Sequence, residues 1–84
     1  MPNDLTDTGP TPYHTPRFDA LVAEAGRIAT GLGHGHTGAE HLLLAVVRDP
    51  DAVPTRVLAE LVEPADIEKR LLALMTSPAY HENR

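Results

Sequence analysis

Between His34 and His41 the chain reads "HGHTGAEH", placing three imidazoles, a threonine and a carboxylate within eight residues. Such a set could do three kinds of chemistry. Imidazoles at this density become zinc ligands when cysteines or carboxylates converge on them. Thr37 and Glu40, spaced T-x-x-E, fit a capping box, in which each side chain satisfies a backbone N–H at a helix start. Glu40 could also pair a guanidinium through two parallel hydrogen bonds, beside the anion-attracting N–H groups of the same helix start. The zinc reading is the weakest of the three. His34 and His36 fall in a glycine loop, His41 falls on the helix, and the chain has no cysteine and no convergent carboxylate beyond Glu40. No metal and no other cofactor is expected. Nucleophilic catalysis fares no better, since the sole serine, Ser77, lies in a terminal S-P turn rather than at a strand-to-helix elbow. Paired catalytic carboxylates need a cleft that four short helices hardly offer. The expectation is a protein without enzymatic activity.

The elements that position these residues follow from periodicity. Thr15 is a good N-cap and Pro16 suits a first helical position, where its missing N–H costs nothing. Phe18, Leu21, Val22, Ala25, Ala29 and Leu32 then recur at helical spacing, and Gly33 with Gly35 ends the helix at about Leu32. The second helix starts at the Thr37/Glu40 box. Its Leu42, Leu43, Leu44, Val46 and Val47 cover most of the circumference, so it should be the central one. After the "DPDA" turn a third helix is predicted from about Val53 to Leu61, with Val53, Val57, Leu58 and Leu61 inward. A fourth runs from Pro64 to about Met75, with Ile67, Leu71, Leu74 and Met75 on one face, and Ser77-Pro78 stops it. No stretch alternates with a period of two, so the expected fold is all-α, four short helices. Residues 1–12, rich in Pro, Asp, Thr and Gly, read as a flexible tail, residues 13–78 as the helical unit, and 79–84 as a second tail.

Bulk properties narrow the partners. Seven basic against twelve acidic residues leave a net charge of −5, with the arginines scattered, which argues against nucleic acid or an anionic membrane surface. The longest apolar run, Leu42 to Val47, is far short of the roughly 20 residues needed to cross a bilayer. The opening "MPNDLTDTGPTP" lacks the basic and apolar segments of a signal peptide, so a cytoplasmic location is expected.

The order "TPRFDALVAEAGRIATGLGHGHTGAEHLLLAVVRDPDAVPTRVLAEL" resembles one repeat of the Clp N-terminal domain, the substrate- and adaptor-binding module at the front of ClpA- and ClpC-type unfoldases. Its most specific part, "LGHGHTGAEHLLLAVVRD", is similar to the family's L-G-H-x-x-[IV]-G-T-E-H-[IL]-L-L-[GA]-L motif, and "RVLAEL" follows at the right distance. The resemblance accounts for His34 and His41 without any metal. His14 stands where the family commonly has Phe, and Thr37 where it usually has Ile or Val. The sequence holds one such repeat where the family usually has two in tandem, and it has no G-x-x-x-x-G-K-[ST] phosphate loop.

What the resemblance implies is a four-helix Clp-N repeat acting as a binding module. It would be an accessory adaptor or decoy for ligands of a Clp unfoldase, namely phosphoarginine-marked substrates, adaptors or cyclic-peptide antibiotics. The other implied role is a structural partner that docks on the unfoldase without a ligand pocket. Carried over, Glu40 would hold the guanidinium of phosphoarginine and Thr15 its phosphate, with His14 and Arg17 beside Thr15 completing the candidate set. Two copies could reproduce the tandem contact as a true two-fold through the first and fourth helices, so a homodimer is expected.

Overall fold

The computed structural model describes residues 12–80, which form four helices and no strand. The expected N-terminal tail lies outside the described residues except for Pro12, as do residues 81–84 of the expected C-terminal one. Among the described residues no helix is long and apolar enough to cross a membrane.

Helix α1 (Pro16–Gly31) begins as its sequence dictates. The Thr15 side chain accepts the Phe18 N–H at 3.1 Å, and Pro16 occupies the first turn. At the other end Gly33 adopts φ +77°, the left-handed conformation that glycine takes without penalty. The N–H of Gly33 reaches the Thr30 carbonyl at 3.0 Å and that of His34 the Ala29 carbonyl at 2.9 Å. This crossed pair satisfies the last carbonyls of α1 and fixes where His34 leaves the helix.

Helix α2 (Ala39–Val47) returns antiparallel to α1 and is the central element, packed against α1, against α3 (Val53–Leu58) and against α4 (Pro64–Met75). Ala25, Ile28 and Ala29 of α1 are buried, as are Leu44 and Ala45 of α2. Met75 and Tyr80 close the cluster from the far side, with Leu21, Leu32, Leu42, Leu71 and Leu72 around it. Two ion pairs join neighbouring helices. Arg17 at the start of α1 pairs with Asp49 just beyond α2, and Arg48 reaches Glu68 of α4 at 2.8 Å.

Several expected faces differ. The third helix stops at Leu58 rather than Leu61, and its Val53, Val57 and Leu61 point outward, with Leu61 77% exposed. What turns α3 over is Thr55, buried, whose hydroxyl donates to the Val46 carbonyl in the last turn of α2. That carbonyl also accepts the Asp49 N–H at 3.0 Å, and the Thr55 hydroxyl takes its second lone pair, so a polar residue holds the inward position in place of the valines. In α4, Met75 is buried with Leu71 and Leu72 half-buried, while Leu74 is exposed. In α1, Ile28 is buried, whereas Phe18 and Val22 remain largely exposed. The end of the chain differs most: Tyr80, expected in a tail, is 9% exposed and part of the core. Its ring supplies apolar area and its hydroxyl finds polar partners, the usual terms on which tyrosine is buried.

Candidate functional site

The start of α2 does not use the expected capping box. Gly38, not Thr37, is the N-cap, with extended backbone at φ −123° and ψ −173°. The residue that reaches back is therefore His41, whose Nδ1 accepts the Gly38 N–H at 2.9 Å. Thr37 is exposed and caps nothing. The sequence reading placed the box one residue too early because it looked for a carboxylate or amide at the third helical position, where an imidazole acceptor serves as well.

Glu40 is thereby released from capping. Its carboxylate folds back over Gly38, so that a Cβ there would lie 2.9 Å from Oε1. Tyr80 donates its hydroxyl proton to Oε2. That hydrogen bond first, and the backbone N–H of Glu40 second, hold the carboxyl below the ordinary carboxylate range despite partial burial. His36 Nε2 lies 3.7 Å and His41 Nδ1 3.9 Å from Oε2, and no Lys or Arg among the described residues is paired with it. Beside the carboxylate a groove of about 280 Å³ is lined by Leu71, Leu74, Met75, Ser77, Ala79 and Tyr80. An anion thus stands at the edge of an apolar trough.

The three imidazoles do converge, against the expectation that loop and helix would keep them apart, and their nearest ring nitrogens lie within 4.8 Å of one another. Proton counting shows how they are organised. Because His41 Nδ1 accepts from Gly38, the neutral ring carries its proton on Nε2, which it donates to His34 Nδ1 at 2.9 Å. Because the single proton of Tyr80 goes to Glu40, the 2.8 Å contact between His36 and Tyr80 must be a donation from His36 Nε2. A metal ion at His41 Nε2 would need the proton moved to Nδ1, facing the Gly38 N–H. The ring lone pairs of His34 and His41 are spent on hydrogen bonds, and His41, fully buried, has its pKa lowered chiefly by desolvation. Stacking completes the cluster, with the His34 ring 5.5 Å from His36 and 5.0 Å from Tyr80.

The other candidates gather elsewhere. His14, Thr15 and Arg17 sit together at the exposed start of α1, where His14 packs on Phe18 and approaches Asp19 at 3.4 Å, and Arg17 holds Asp49. The Arg17 hydrogen bond lowers the Asp49 pKa. Asp49 follows Glu40 by nine positions along and just past α2, about 13.5 Å of helical rise. Thr15 and Glu40 therefore lie at opposite ends of the α1–α2 pair within one copy. Residues that sequence reasoning missed are Tyr80, His36 as its partner, and Gly38. The signal for Tyr80 was its being the only aromatic ring of the Phe, Trp or Tyr type after Phe18.

The family model of the Clp repeat (R) N-terminal domain matches residues 2–61. The chain belongs to this family. Among curated proteins, a chloroplastic chaperone protein ClpC of Pisum sativum is 33% identical over 66 residues, covering 77% of this chain and 7% of the chaperone. The chaperone protein ClpB of Oceanobacillus iheyensis is 39% identical over 49 residues, 58% of this chain and 6% of that protein. The negative regulator of genetic competence ClpC/MecB of Bacillus subtilis is 37% identical over 51 residues, 61% and 6% respectively. The similarity thus spans a small part of each relative's length. No solved structure matches. The Clp-N chain carries the family's L-G-H and E-H positions as His34, Glu40 and His41, which the structure joins in one corner.

Proposed function

We propose that this Clp-N domain is a non-enzymatic protein-binding module that takes ligands or adaptors of a Clp unfoldase at the corner formed by Glu40, Tyr80 and the groove beside them. The observation that carries the reading is the Glu40 carboxylate, ionised and braced by Tyr80, without a Lys or Arg partner among the described residues, at the rim of an apolar trough. Such an arrangement complements a cationic head on an aliphatic stem, as in arginine and its phosphorylated form. Apolar cyclic peptides would compete for the same trough.

Phosphoarginine carries its phosphate directly on a guanidinium nitrogen, so one molecule cannot touch both Thr15 and Glu40 of a single copy. That separation supports a site shared between two copies, with the α1 start of one, His14, Thr15 and Arg17, meeting Glu40 of the other. A homodimer would then present two such sites. The second reading, docking on an unfoldase without a ligand pocket, draws on the outward stripe Val53, Val57 and Leu61.

Titration with a phosphoarginine peptide tests the proposal. Glu40→Ala should weaken binding by about 1.5–3 kcal/mol, the worth of a hydrogen bond to a charged group. Unchanged affinity would remove Glu40 from the site, and no binding by the parent would favour the second reading. Mixing Thr15→Ala with Glu40→Ala copies distinguishes shared from private sites. In a two-fold dimer each mixed pair regains one intact site, roughly a quarter of the parent's total, whereas private sites regain none.

A further inference from the structure

We propose that His36 is a proton-switched counter-ion for Glu40, leaving the carboxylate to an incoming cationic group when neutral and occupying that place when protonated. The inference rests on the reading of Glu40 as the residue that holds the cation. It starts from the order in which the three histidines can accept a proton. A proton added to His41 would enter at Nδ1, where the Gly38 N–H already points, and one added to His34 at Nδ1 would face the Nε2–H of His41. Both additions set two donors against each other. His36 differs. It donates from Nε2 to Tyr80, and its Nδ1 accepts nothing from the described residues, so it can take a proton without breaking a bond.

The resulting charge lies next to Glu40. His36 Nε2 is 3.7 Å from Oε2, with the two side chains only 31% and 24% exposed, so solvent screens the pair incompletely. Among the described residues, the titratable groups facing His36 belong to the same corner: His34 from the end of α1, Glu40 and His41 from α2, and Tyr80 from the turns after α4. Glu40 is the one carboxylate among them. Imidazole is the side chain whose charge changes between pH 5 and 8. Protonation of His36 therefore gives Glu40 an internal cation, which a guanidinium or ammonium ligand has to displace.

Phosphoarginine affinity measured from pH 8 to pH 5.5 on the parent and on His36→Asn tests this. The parent should lose about five- to tenfold more affinity than the variant over that range, a coupling at the low end of those between sites. Equal pH slopes would overturn the proposal, and because the ligand's own titration is common to both proteins it cancels in the comparison. A second measurement needs no ligand. In carbon-13 NMR of the free protein, the Glu40 carboxyl carbon should shift with the midpoint of the His36 ring, and the step should vanish in His36→Asn. If no ligand binds at any pH while this step is present, the reading of Glu40 as a ligand residue fails and the counter-ion role stands. If the step is missing from the parent, the counter-ion role fails whatever the ligand does.

Discussion

His41→Leu is the most informative single change, because the ring is fully buried and its two nitrogens hold two other elements in place. Nδ1 accepts the N-cap amide of Gly38 and Nε2 donates to His34, the residue that leaves α1. Leucine is close enough in size to leave little cavity, so the cost is almost wholly polar. Each orphaned partner carries a penalty of about 1–3 kcal/mol if it stays dry. Gly38 and His34 are both half-buried, so water recovers part of this and the apolar side chain recovers more. A net loss of about 2–3 kcal/mol follows. A helical unit of this size without disulfides has roughly 3–5 kcal/mol in hand, so the variant should be close to unfolding at room temperature. His41→Gln is the control. Glutamine at the third helical position can accept the Gly38 N–H, as in an ordinary capping box, but does not reproduce the bond to His34. It should recover about 1 kcal/mol of the loss. Urea unfolding followed by circular dichroism at pH 7.5 measures all three proteins. A leucine variant within 0.5 kcal/mol of the parent would refute the assignment of His41 as the tie between α1 and α2, and a glutamine variant no better than leucine would refute the capping half of it.

Three further outcomes follow from the same corner. Tyr80→Phe removes the hydroxyl that lies between His36 and Glu40; stability should fall by about 1 kcal/mol, and the Glu40 carboxyl midpoint, followed by carbon-13 NMR, should rise toward the ordinary carboxylate value because its main depressing contact is gone. Gly38→Ala puts a methyl group 2.9 Å from Glu40 Oε1, so the carboxylate must swing away and ligand affinity should drop while unfolding changes by less than about 1 kcal/mol, since alanine keeps the backbone N–H that His41 accepts. Acid should act in two stages: the lowered His41 pKa means the unfolded chain takes up a proton first, so its contribution is complete above about pH 6.5 and is lost as pH falls below it; the lowered Glu40 and Asp49 pKa values add a second loss below about pH 4.5. A urea midpoint that stays level from pH 7.5 down to pH 5 would contradict the first stage.

Local signals were legible where one residue type dominates a backbone geometry. Thr15, Pro16 and Gly33 announced both ends of α1, and the apolar run of α2 announced the centre of the fold, because caps and periodicity act over a few residues. What stayed hidden depended on contacts between distant positions. Val53, Val57 and Leu61 form a plausible inward stripe, yet Thr55 faces inward, where its hydroxyl bonds a carbonyl of α2 nine positions earlier. Tyr80 sits in a polar terminal run, and only the meeting of Glu40 and His36, some 40 residues away, explains its burial. The candidate site was legible in part for the same reason: Glu40 and Thr15 stood out by type, while the α1–α2 hairpin that separates them is a property of the whole chain.

The one-residue shift of the α2 cap has a consequence for how stability and binding are divided. Had Glu40 closed the box with Thr37, any substitution that tested its ligand role would also have uncapped the central helix. Because His41 carries the cap, the carboxylate next to it keeps only a dipole interaction at the helix start, about 0.3–1 kcal/mol, and its bond to Tyr80. Glu40 is then held in one place by a neighbour's hydroxyl and a glycine's missing side chain, so little side-chain freedom remains to be lost when a cation arrives. On the proposed function, adjacent residues on one helical turn carry separate tasks, His41 for the fold and Glu40 for the ligand. That division is why Glu40→Ala is expected to weaken ligand binding while keeping the fold, with far-UV circular dichroism of the variant as the check.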